Sequence, residues 1–194
     1  MASAITTWLD GRVLRGRLVG LREYRREDVE TLFPVELDPE YISLTEVQPY
    51  RPRPLAAHLA EYDRRTGEQD GRSVPFTIQR LDDETGTAIG RVGLWMIDLH
   101  QRTAHIGISL MPSAQGHGFG RDALEVICRY GFEIRGLERL SLETLSVNAP
   151  MQATALACGF TEEGRLRSAA WHLGRRVDEV LFGLLADEWR QRAG

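Results

Sequence analysis

A glycine-rich loop at residues 115–120, with the sequence QGHGFG, is the segment of this chain best suited to bind an anion. It follows an apolar run that ends at Leu110 and precedes an apolar helical pattern that begins near Arg121. Glycines allow a tight turn and let a ligand approach the backbone closely. The first N–H groups of the helix have no intrahelical partners and attract negative charge, as does the helix dipole. The loop therefore predicts a phosphate or pyrophosphate site, although a glycine turn that only connects strand and helix fits the same spacing.

Two better-known phosphate loops do not fit these residues. A Walker loop requires a lysine directly after its last glycine, and the chain contains no lysine. A dinucleotide-binding loop lies in a parallel strand–helix–strand unit, with an acidic residue about twenty positions later. Here an antiparallel meander precedes the loop, and Glu143, which is near that offset, lies well inside the next predicted strand. This context weakens the interpretation of the glycines as a dinucleotide site.

The elements that must position the loop are predicted from the pattern of apolar and turn-forming residues. Strands are predicted at residues 17–22, 75–80, 88–97, 104–110, 137–147, 160–171 and 177–185. Helices are predicted at residues 26–33, 55–65, 121–134 and 153–158. The Pro-rich segment at residues 49–54 predicts a loop between two helices, because each proline removes a backbone donor. An antiparallel meander, a crossover helix and a further strand indicate one α+β, mixed α/β domain.

Composition and charge exclude several classes of protein. The chain has 194 residues, a net charge of −4 and a pI near 5.8, so there is no electrostatic case for binding nucleic acid. Cys128 and Cys158 lie in apolar helical patterns and are predicted to be buried free thiols, too few for a zinc site. No apolar stretch is long enough to span a membrane, and Met1–Asp10 lacks a signal-peptide pattern. We therefore expect a cytoplasmic protein with no metal and no membrane partner.

Gln115, Gly118 and Gly120 match the Gln/Arg-x-x-Gly-x-Gly/Ala signature of the GNAT superfamily of N-acetyltransferases, which this chain resembles. The spacing from Asn148 to Gly159-Phe160 is also similar to that of the second half of a GNAT core. Residues 163–167, 174–182 and 188–189 resemble the RimJ/RimL-like branch, which includes enzymes that acetylate the N-termini of ribosomal proteins. The resemblance covers approximately residues 15–190 and leaves residues 1–14 as an N-terminal extension.

This resemblance implies a fold, an acyl donor and the residues that hold the donor. The expected fold is a single GNAT-type domain, whose central, mostly antiparallel, twisted sheet is splayed at the coenzyme site and flanked by helices. The expected donor is acetyl-CoA, with its pantetheine arm on the main chain of Leu110 and Met111 and its pyrophosphate on the loop. The predicted coenzyme-binding residues are Leu110, Met111, Gln115, Gly116, Gly118, Gly120, Arg121 and Asn148.

The resemblance also bears on the groups that transfer protons. Many relatives have a tyrosine, the general acid to the thiolate, at the position of Ala155, and the branch often has a glutamate at the position of His105. Imidazole titrates near neutrality, so His105 could accept a proton directly or through water, although a structural histidine fits this strand position too. Glu143 is an alternative base, and Ser146 an alternative hydrogen-bond partner of the thiol or the oxyanion. The predicted catalytic residues are therefore His105, Glu143 and Ser146.

The acceptor is expected to be a primary amine of a peptide or of a small molecule. In this fold it usually enters between the first helices and the late strands, where the candidate residues are Asp38, Glu40, Tyr41, Glu46, Tyr50, Trp171 and His172. The branch favours a protein N-terminal α-amine, and a polyamine, an aminosugar or an antibiotic stays open. A non-catalytic acyl-CoA-binding module is a further alternative, because Ala155 and His105 depart from the family pattern. Members of the branch are often dimeric, so a homodimer is expected.

Overall fold

The computed structural model describes residues 9–10, 13–45, 49–67 and 71–192 of the chain. The strands are β1 (Leu9–Asp10), β2 (Val13–Arg15), β3 (Val19–Glu23), β4 (Val74–Arg80), β5 (Ala88–Asp98), β6 (Thr103–Leu110), β7 (Arg139–Leu145), β8 (Thr161–His172) and β9 (Arg175–Leu185). The helices are α1 (Arg26–Glu36), α2 (Pro39–Thr45), α3 (Leu55–Gly67), α4 (Phe119–Arg129), α5 (Ala149–Ala157) and α6 (Ala186–Arg192). A π-helical turn, Tyr130–Ile134, extends α4.

The described strands form one sheet in the order β1-β2-β3-β4-β5-β6-β7-β9-β8. Within it β6 and β7 run parallel, since α4 crosses over between them, and the other paired strands of the described chain are antiparallel. A parallel pair requires such a crossover, whereas the antiparallel pairs are joined by turns or short excursions. This mostly antiparallel sheet confirms the predicted α+β, mixed α/β class.

The helices cover the two faces of the sheet. Val92 and Leu94 of β5 pack into the main core with Leu124 of α4, whereas Arg91 on the opposite face reaches Glu36 of α1. Alternate residues of a strand point to opposite faces, so α4 and α1 lie on opposite sides of the sheet. The core on the α4 side also contains α5 residues such as Ala155, and α1, α2 and α3 pack together on the other side.

Several elements differ from their predicted bounds for local reasons. The sequence predicts no helix between residues 33 and 55, but α2 forms there because Asp38 Oδ1 accepts the N–H groups of Glu40 and Tyr41 at its start. The helix expected at residues 153–158 begins at Ala149, where the side chain of Asn148 caps it. Part of the expected N-terminal extension lies in the sheet as β1 and β2, and α6 was not predicted. Residues 1–8 lie outside the described residues.

Both cysteines are buried free thiols, as predicted. Burial raises the pKa of Cys158 to about 12 and also raises that of Cys128. Both thiols are therefore protonated at neutral pH and act as packing groups of the core.

Candidate active site

The sheet opens between β6 and β7. The parallel register runs from Thr103 opposite Arg139 to His105 opposite Ser141, and no further pair of the two strands is formed in the described chain. On the other side of β6, the N–H of Met111 donates to Ile89 O at 2.9 Å. Hydrogen-bonding directions alternate along a strand, so the main-chain groups of Ile108 and Leu110 point away from β5 and into the gap.

A cleft of about 440 Å³ occupies this gap. Its walls come from the end of β6, the glycine loop, the start of α5 and one side of α2. The lining residues are Tyr41, Leu44, Thr45, Ile108, Ser109, Leu110, Gln115, Gly116, Gly118, Gly120, Arg121, Val147, Asn148, Pro150, Met151 and Thr154. Seven of the eight residues predicted to bind the coenzyme are in this set, and Met111 is not.

The glycine loop presents backbone N–H groups to the cleft. Gly116 and Gly118 have φ angles of 79° and 81°, a left-handed conformation that strains residues with a side chain. Gly118 is the N-cap of α4, and the first intrahelical bond runs from Asp122 N–H to Gly118 O at 3.1 Å. The N–H groups of Phe119, Gly120 and Arg121 therefore precede the hydrogen-bonded part of the helix and attract an anion.

The one acidic residue in the first turn of α4 is turned away from the cleft. Asp122 is buried, and its carboxylate accepts the N–H groups of Arg17, Leu18 and Val19 at 2.8–3.0 Å. It thus fixes the start of α4 against the start of β3. The loop itself is attached to the end of β6, because Gln115 Nε2 donates to Leu110 O at 3.2 Å.

The main-chain groups of Met111 and Ile108 are not oriented as expected for binding the pantetheine arm. Both main-chain groups of Met111 are used within the fold, since its N–H donates to Ile89 and its carbonyl accepts the N–H of Ala114. Ile108 was not singled out in the sequence, yet its main chain faces the gap. The signal that identifies Ile108 is the β5–β6 register, which periodicity alone does not contain.

The start of α5 forms the far wall of the cleft. Asn148 Oδ1 accepts the N–H of Met151 at 3.3 Å, so part of this side chain serves to cap the helix. Ala155 is completely buried, one turn further along α5, and Thr154 Oγ1 donates to Pro150 O at 2.8 Å. The position at which many relatives have tyrosine therefore holds a methyl group in the core.

His105 and Glu143 meet on the face of the sheet opposite α4. Glu143 Oε1 lies 2.8 Å from His105 Nδ1, and the two side chains are 30% and 25% exposed. Nδ1 is buried, and no hydrogen bond of good geometry is formed by this atom in the described chain, so the imidazole and the carboxylate are close neighbours without an aligned hydrogen bond. The ring of Trp95, on the neighbouring position of β5, lies 4.9 Å from the imidazole, centroid to centroid. An imidazole beside a carboxylate, half-buried against an aromatic ring, is an arrangement suited to general acid–base chemistry.

Ser146 is not brought to this pair. It lies in the turn after β7, where its N–H donates to Asp178 O and its carbonyl accepts Gln152 Nε2. Since Ser141 is level with His105, Ser146 is roughly 16 Å further along at about 3.3 Å per residue. Ser146 is therefore not in contact with His105, and its role as a hydrogen-bond partner of the thiol or the oxyanion stays a prediction, since Val147 and Asn148 of the same turn line the cleft.

The candidate acceptor residues are spread over several environments. Asp38 caps α2, Tyr50 lines a second cavity beside α1, and Glu46 lies outside the described residues. His172 is buried, with Nδ1 3.1 Å from Ser43 Oγ, and it connects the β8–β9 hairpin to α2. Trp171 is 63% exposed. Beside the His105–Glu143 pair, Trp95 and Gly107 are exposed to solvent.

Neither a metal cluster nor a membrane span is found in the part of the chain that the structure describes. No group of three or more His, Cys, Asp or Glu side chains there is arranged to hold an ion. Similarly, none of the helices in the described ranges has the length and apolar character needed to cross a membrane.

Comparisons with known proteins agree with the geometry. Residues 18–161 match the family model described as acetyltransferase (GNAT) domain. The chain is 28% identical over 169 residues to an uncharacterized N-acetyltransferase, p20, of Bacillus licheniformis, covering 87% of this chain and 93% of that protein. It is 29% identical over 113 residues to the spermidine N(1)-acetyltransferase of Vibrio cholerae, covering 58% and 65%. The crystal structure of spermidine N-acetyltransferase from Vibrio cholerae in complex with CoA and spermine superposes with a TM-score of 0.79 at 25% identity, over 89% of this chain and 98% of that one.

Proposed function

The chain belongs to the acetyltransferase (GNAT) domain family, and on that premise we propose that His105 accepts the proton of its acceptor amine. As a member it is an acetyl-CoA-dependent N-acetyltransferase, in which a primary amine attacks the thioester directly. The observation that carries the proposal is the contact of 2.8 Å between His105 Nδ1 and Glu143 Oε1. It lies at the level of the sheet where β6 and β7 separate.

The cleft is suited to the coenzyme. Acetyl-CoA, when bound, supplies an acetyl thioester. The main-chain groups of Ile108 and Leu110 face the gap and would pair with the amides of the pantetheine arm. The N–H groups of the glycine loop and of the start of α4 would hold the pyrophosphate, as helix N-termini do for phosphates generally. The residues proposed to hold the coenzyme are Ile108, Leu110, Gln115, Gly116, Gly118, Gly120, Arg121 and Asn148.

The His105–Glu143 pair would prepare the acceptor. An amine attacks only after it has lost a proton, so a base is needed where the acceptor enters. The expected entry is on the face of the sheet opposite α4, beside the first helices. The carboxylate of Glu143 stabilises the imidazolium that forms when His105 takes that proton. The ring of Trp95 packs at a tilt against the imidazole. His105 is thus the proposed base and Glu143 the residue that positions it and balances its charge.

The acceptor that we propose has an amine next to an apolar group, as in the N-terminal α-amine of a peptide. Trp95 and Gly107 form an exposed, mainly apolar surface beside His105. Within the described residues Glu143 is the carboxylate that contacts the base, while Asp38 is engaged as a helix cap. The RimJ/RimL-like resemblance supports the same choice, and the similarity to spermidine acetyltransferases makes a polyamine the second candidate.

An acceptor panel tests this proposal. Release of the CoA thiol is measured with acetyl-CoA and a peptide that begins with an apolar residue, the same peptide with a blocked N-terminus, spermidine, and an aminosugar. We expect the unblocked peptide to have the highest kcat/KM and the blocked peptide to be inert. A higher kcat/KM for spermidine than for the peptide would mean that the acceptor is a polyamine and not a peptide. Tight binding of acetyl-CoA in calorimetry, with no turnover on any amine, would instead support a non-catalytic acyl-CoA-binding module.

Self-association into a homodimer remains a prediction. The β8–β9 hairpin exposes Leu166, Trp171 and Leu173, which are 48%, 63% and 56% accessible. Exposed apolar side chains that lie close together commonly mark contact surfaces. Light scattering checks the prediction: we expect twice the mass of one chain at micromolar concentration. One chain mass over the whole concentration range would contradict it.

A further inference from the structure

A second cavity, of about 260 Å³, lies on the α1 side of the sheet and is separate from the cleft. It is bordered by α1, Ile42 of α2, the Pro-rich segment at residues 49–54, α3 and one residue of β5. Its inner wall is apolar and aromatic, with Leu32, Ile42 and Tyr24 among its residues. Its charged lining residues are Glu36, Arg51, Arg53, Glu61, Arg65 and Arg91. None of these charged residues has a part in the chemistry described above.

The charges of this cavity do not balance. Arg91 Nη2 lies 2.9 Å from Glu36 Oε1, so these two charges compensate each other. Glu61 is held by Arg64 and Arg65 at 2.7 and 2.6 Å, and the hydrogen bonds from these two residues lower its pKa to about 2. Both carboxylates are therefore already matched. Four arginines against two glutamates leave a net charge of +2 on the lining.

The excess positive charge is carried by Arg51 and Arg53, which flank Pro52. Prolines at positions 49, 52 and 54 restrict the backbone of this segment, because the ring fixes φ. Arg53 is also anchored, since its Nη2 donates to Ala57 O at 3.1 Å at the start of α3. Both arginines are thus attached to a restricted backbone, and the guanidinium of Arg53 is also fixed by a hydrogen bond. A preorganised guanidinium loses little entropy when it binds an oxyanion.

We propose that this cavity binds a small organic anion, a carboxylate or phosphate monoester attached to an aromatic or apolar body. The anionic group would lie on Arg51 and Arg53, which offer the forked donors that match such oxygens. The apolar body would lie against Leu32, Ile42 and the ring of Tyr24, over which Arg91 already lies at 5.8 Å. The net charge of +2 repels a polycation, so a polyamine does not fit here.

An occupant of this cavity would be coupled to the cleft through shared elements. Ile42 of α2 lines the cavity, whereas Tyr41 and Leu44 of the same helix line the cleft. Arg91 is the register partner of Ser109, which also lines the cleft. Binding of the anion would therefore restrain α2, which forms one wall of the cleft, and β5, which pairs with the β6 wall. The site is thus suited to regulate acetyl transfer or to hold the anionic end of a long acceptor.

Titration with phenyl phosphate tests the proposal. The full chain is first saturated with CoA, so that the pyrophosphate site in the cleft is filled. Calorimetry should then show one phenyl phosphate bound per chain, with affinity that falls as salt is added. Amide exchange should slow at residues 49–58 and stay unchanged at residues 115–121. The imidazole of His58, whose pKa is lowered mainly by burial, should show a rise of this pKa on binding, because a negative charge nearby favours the protonated ring.

Two matched double variants locate the site. Arg51→Gln with Arg53→Gln should weaken phenyl phosphate binding by about 10-fold or more, since hydrogen bonds to charged groups are lost. Arg167→Gln with Arg175→Gln, two exposed arginines of the β8–β9 hairpin, should leave it unchanged. If the first double variant melts at a lower temperature, Arg51→Gln alone replaces it. Absence of saturable binding, equal binding by the Arg51 and Arg53 variant, or binding of spermine in this cavity would each overturn the proposal.

Discussion

At the scale of single residues, His105 and Glu143 depend on each other through the sheet. Residue 105 faces residue 141 in the parallel register, and residue 143 is the next on the same face of β7, so the two side chains lie next to each other. A proton held by His105 is therefore close to a fixed negative charge. The side chains of this pair could be chosen from the sequence as candidates. Their contact could not, because it depends on the pairing of strands that are separated by the whole of α4.

Replacement of His105 by Gln should lower kcat/KM for the amine by about 10²- to 10⁴-fold, the usual contribution of a general base. The dissociation constant of CoA should not change, because His105 does not line the cleft. Steady-state kinetics over a pH series, together with calorimetry, measures both quantities. His100→Gln, at an exposed histidine in the turn between β5 and β6, is the matched control and should behave as the wild type. A variant at His105 that keeps both kcat/KM and its pH dependence would remove the residue from the mechanism.

A second prediction concerns a buried ion pair that supports the fold. Arg22 and Asp28 are 5% and 2% exposed and joined by two hydrogen bonds of 2.7 Å, and Thr77 Oγ1 donates to the same carboxylate. Asp28→Asn should lower the free energy of unfolding by about 3–5 kcal/mol, because it leaves the charge of Arg22 buried without a partner. Urea unfolding measures this value. Asp63→Asn, in the exposed pair with Arg26, should have little effect.

The same pair gives the wild type a defined acid sensitivity. Burial acts to raise the pKa of Asp28, but hydrogen bonds from Arg22, Thr77 and the Arg25 N–H outweigh it and lower the pKa. A group whose pKa is lower in the folded state stabilises the protein above its unfolded pKa, near 3.9 for aspartate, and this contribution is lost as the pH falls through the folded value. Below about pH 4 the stability of the wild type should therefore fall more steeply than that of Asp28→Asn. Equal slopes in the two proteins would contradict this account.

At the scale of elements, the sequence predicts best what is local. The glycine loop, the meander and the helix after the loop follow from periodicity and turn residues, and the structure contains them close to the expected bounds. Helix α2 was missed, since its start depends on the cap by Asp38 within a segment that reads as polar and proline-rich. Periodicity cannot show that the main-chain groups of Ile108, and not those of Met111, face the coenzyme cleft, because the direction of a main-chain group depends on the register between strands. The hydrogen bonds from the N–H groups of Arg17, Leu18 and Val19 to Asp122 join residues more than a hundred positions apart, so a local sequence pattern cannot predict them either.

Gly118 links the glycine pattern of the sequence to the binding of CoA. An alanine in its left-handed conformation is strained by about 1–2 kcal/mol, so the free loop would relax away from its present shape. Binding of CoA must then restore that shape, and Gly118→Ala should raise the dissociation constant by about 5- to 30-fold. Calorimetry with CoA measures it. Gly164→Ala is the control, because that position has open space and no positive φ, and it should leave the affinity unchanged. An equal loss in both variants would show that the loop conformation is not what matters.

At the scale of the whole molecule, the sheet consists of two parts that meet along a short seam. Strands β1 to β6 form one part, and β7 to β9 form the other. Three residue pairs, from Thr103–Arg139 to His105–Ser141, join them within the described sheet. Beyond this seam the cleft separates the two parts, with β6 and the glycine loop on one wall and α5 on the other. A ligand that fills the cleft would therefore replace missing contacts between the two parts and stabilise the whole fold.

CoA should accordingly raise the melting temperature of the protein. A ligand at 100 times its dissociation constant stabilises the folded state by about 2.7 kcal/mol, and a domain of this size gains about 2–4 °C per kcal/mol, so the expected rise is roughly 5–10 °C. Adenosine 3′,5′-bisphosphate at the same concentration should give a smaller rise, because it lacks the arm that reaches β6. Amide exchange distinguishes the two ligands further. CoA should slow exchange at Ile108 and Leu110, whose N–H groups face the gap, and the bisphosphate should not. Equal protection by both ligands would mean that the gap between β6 and β7 does not receive the pantetheine arm.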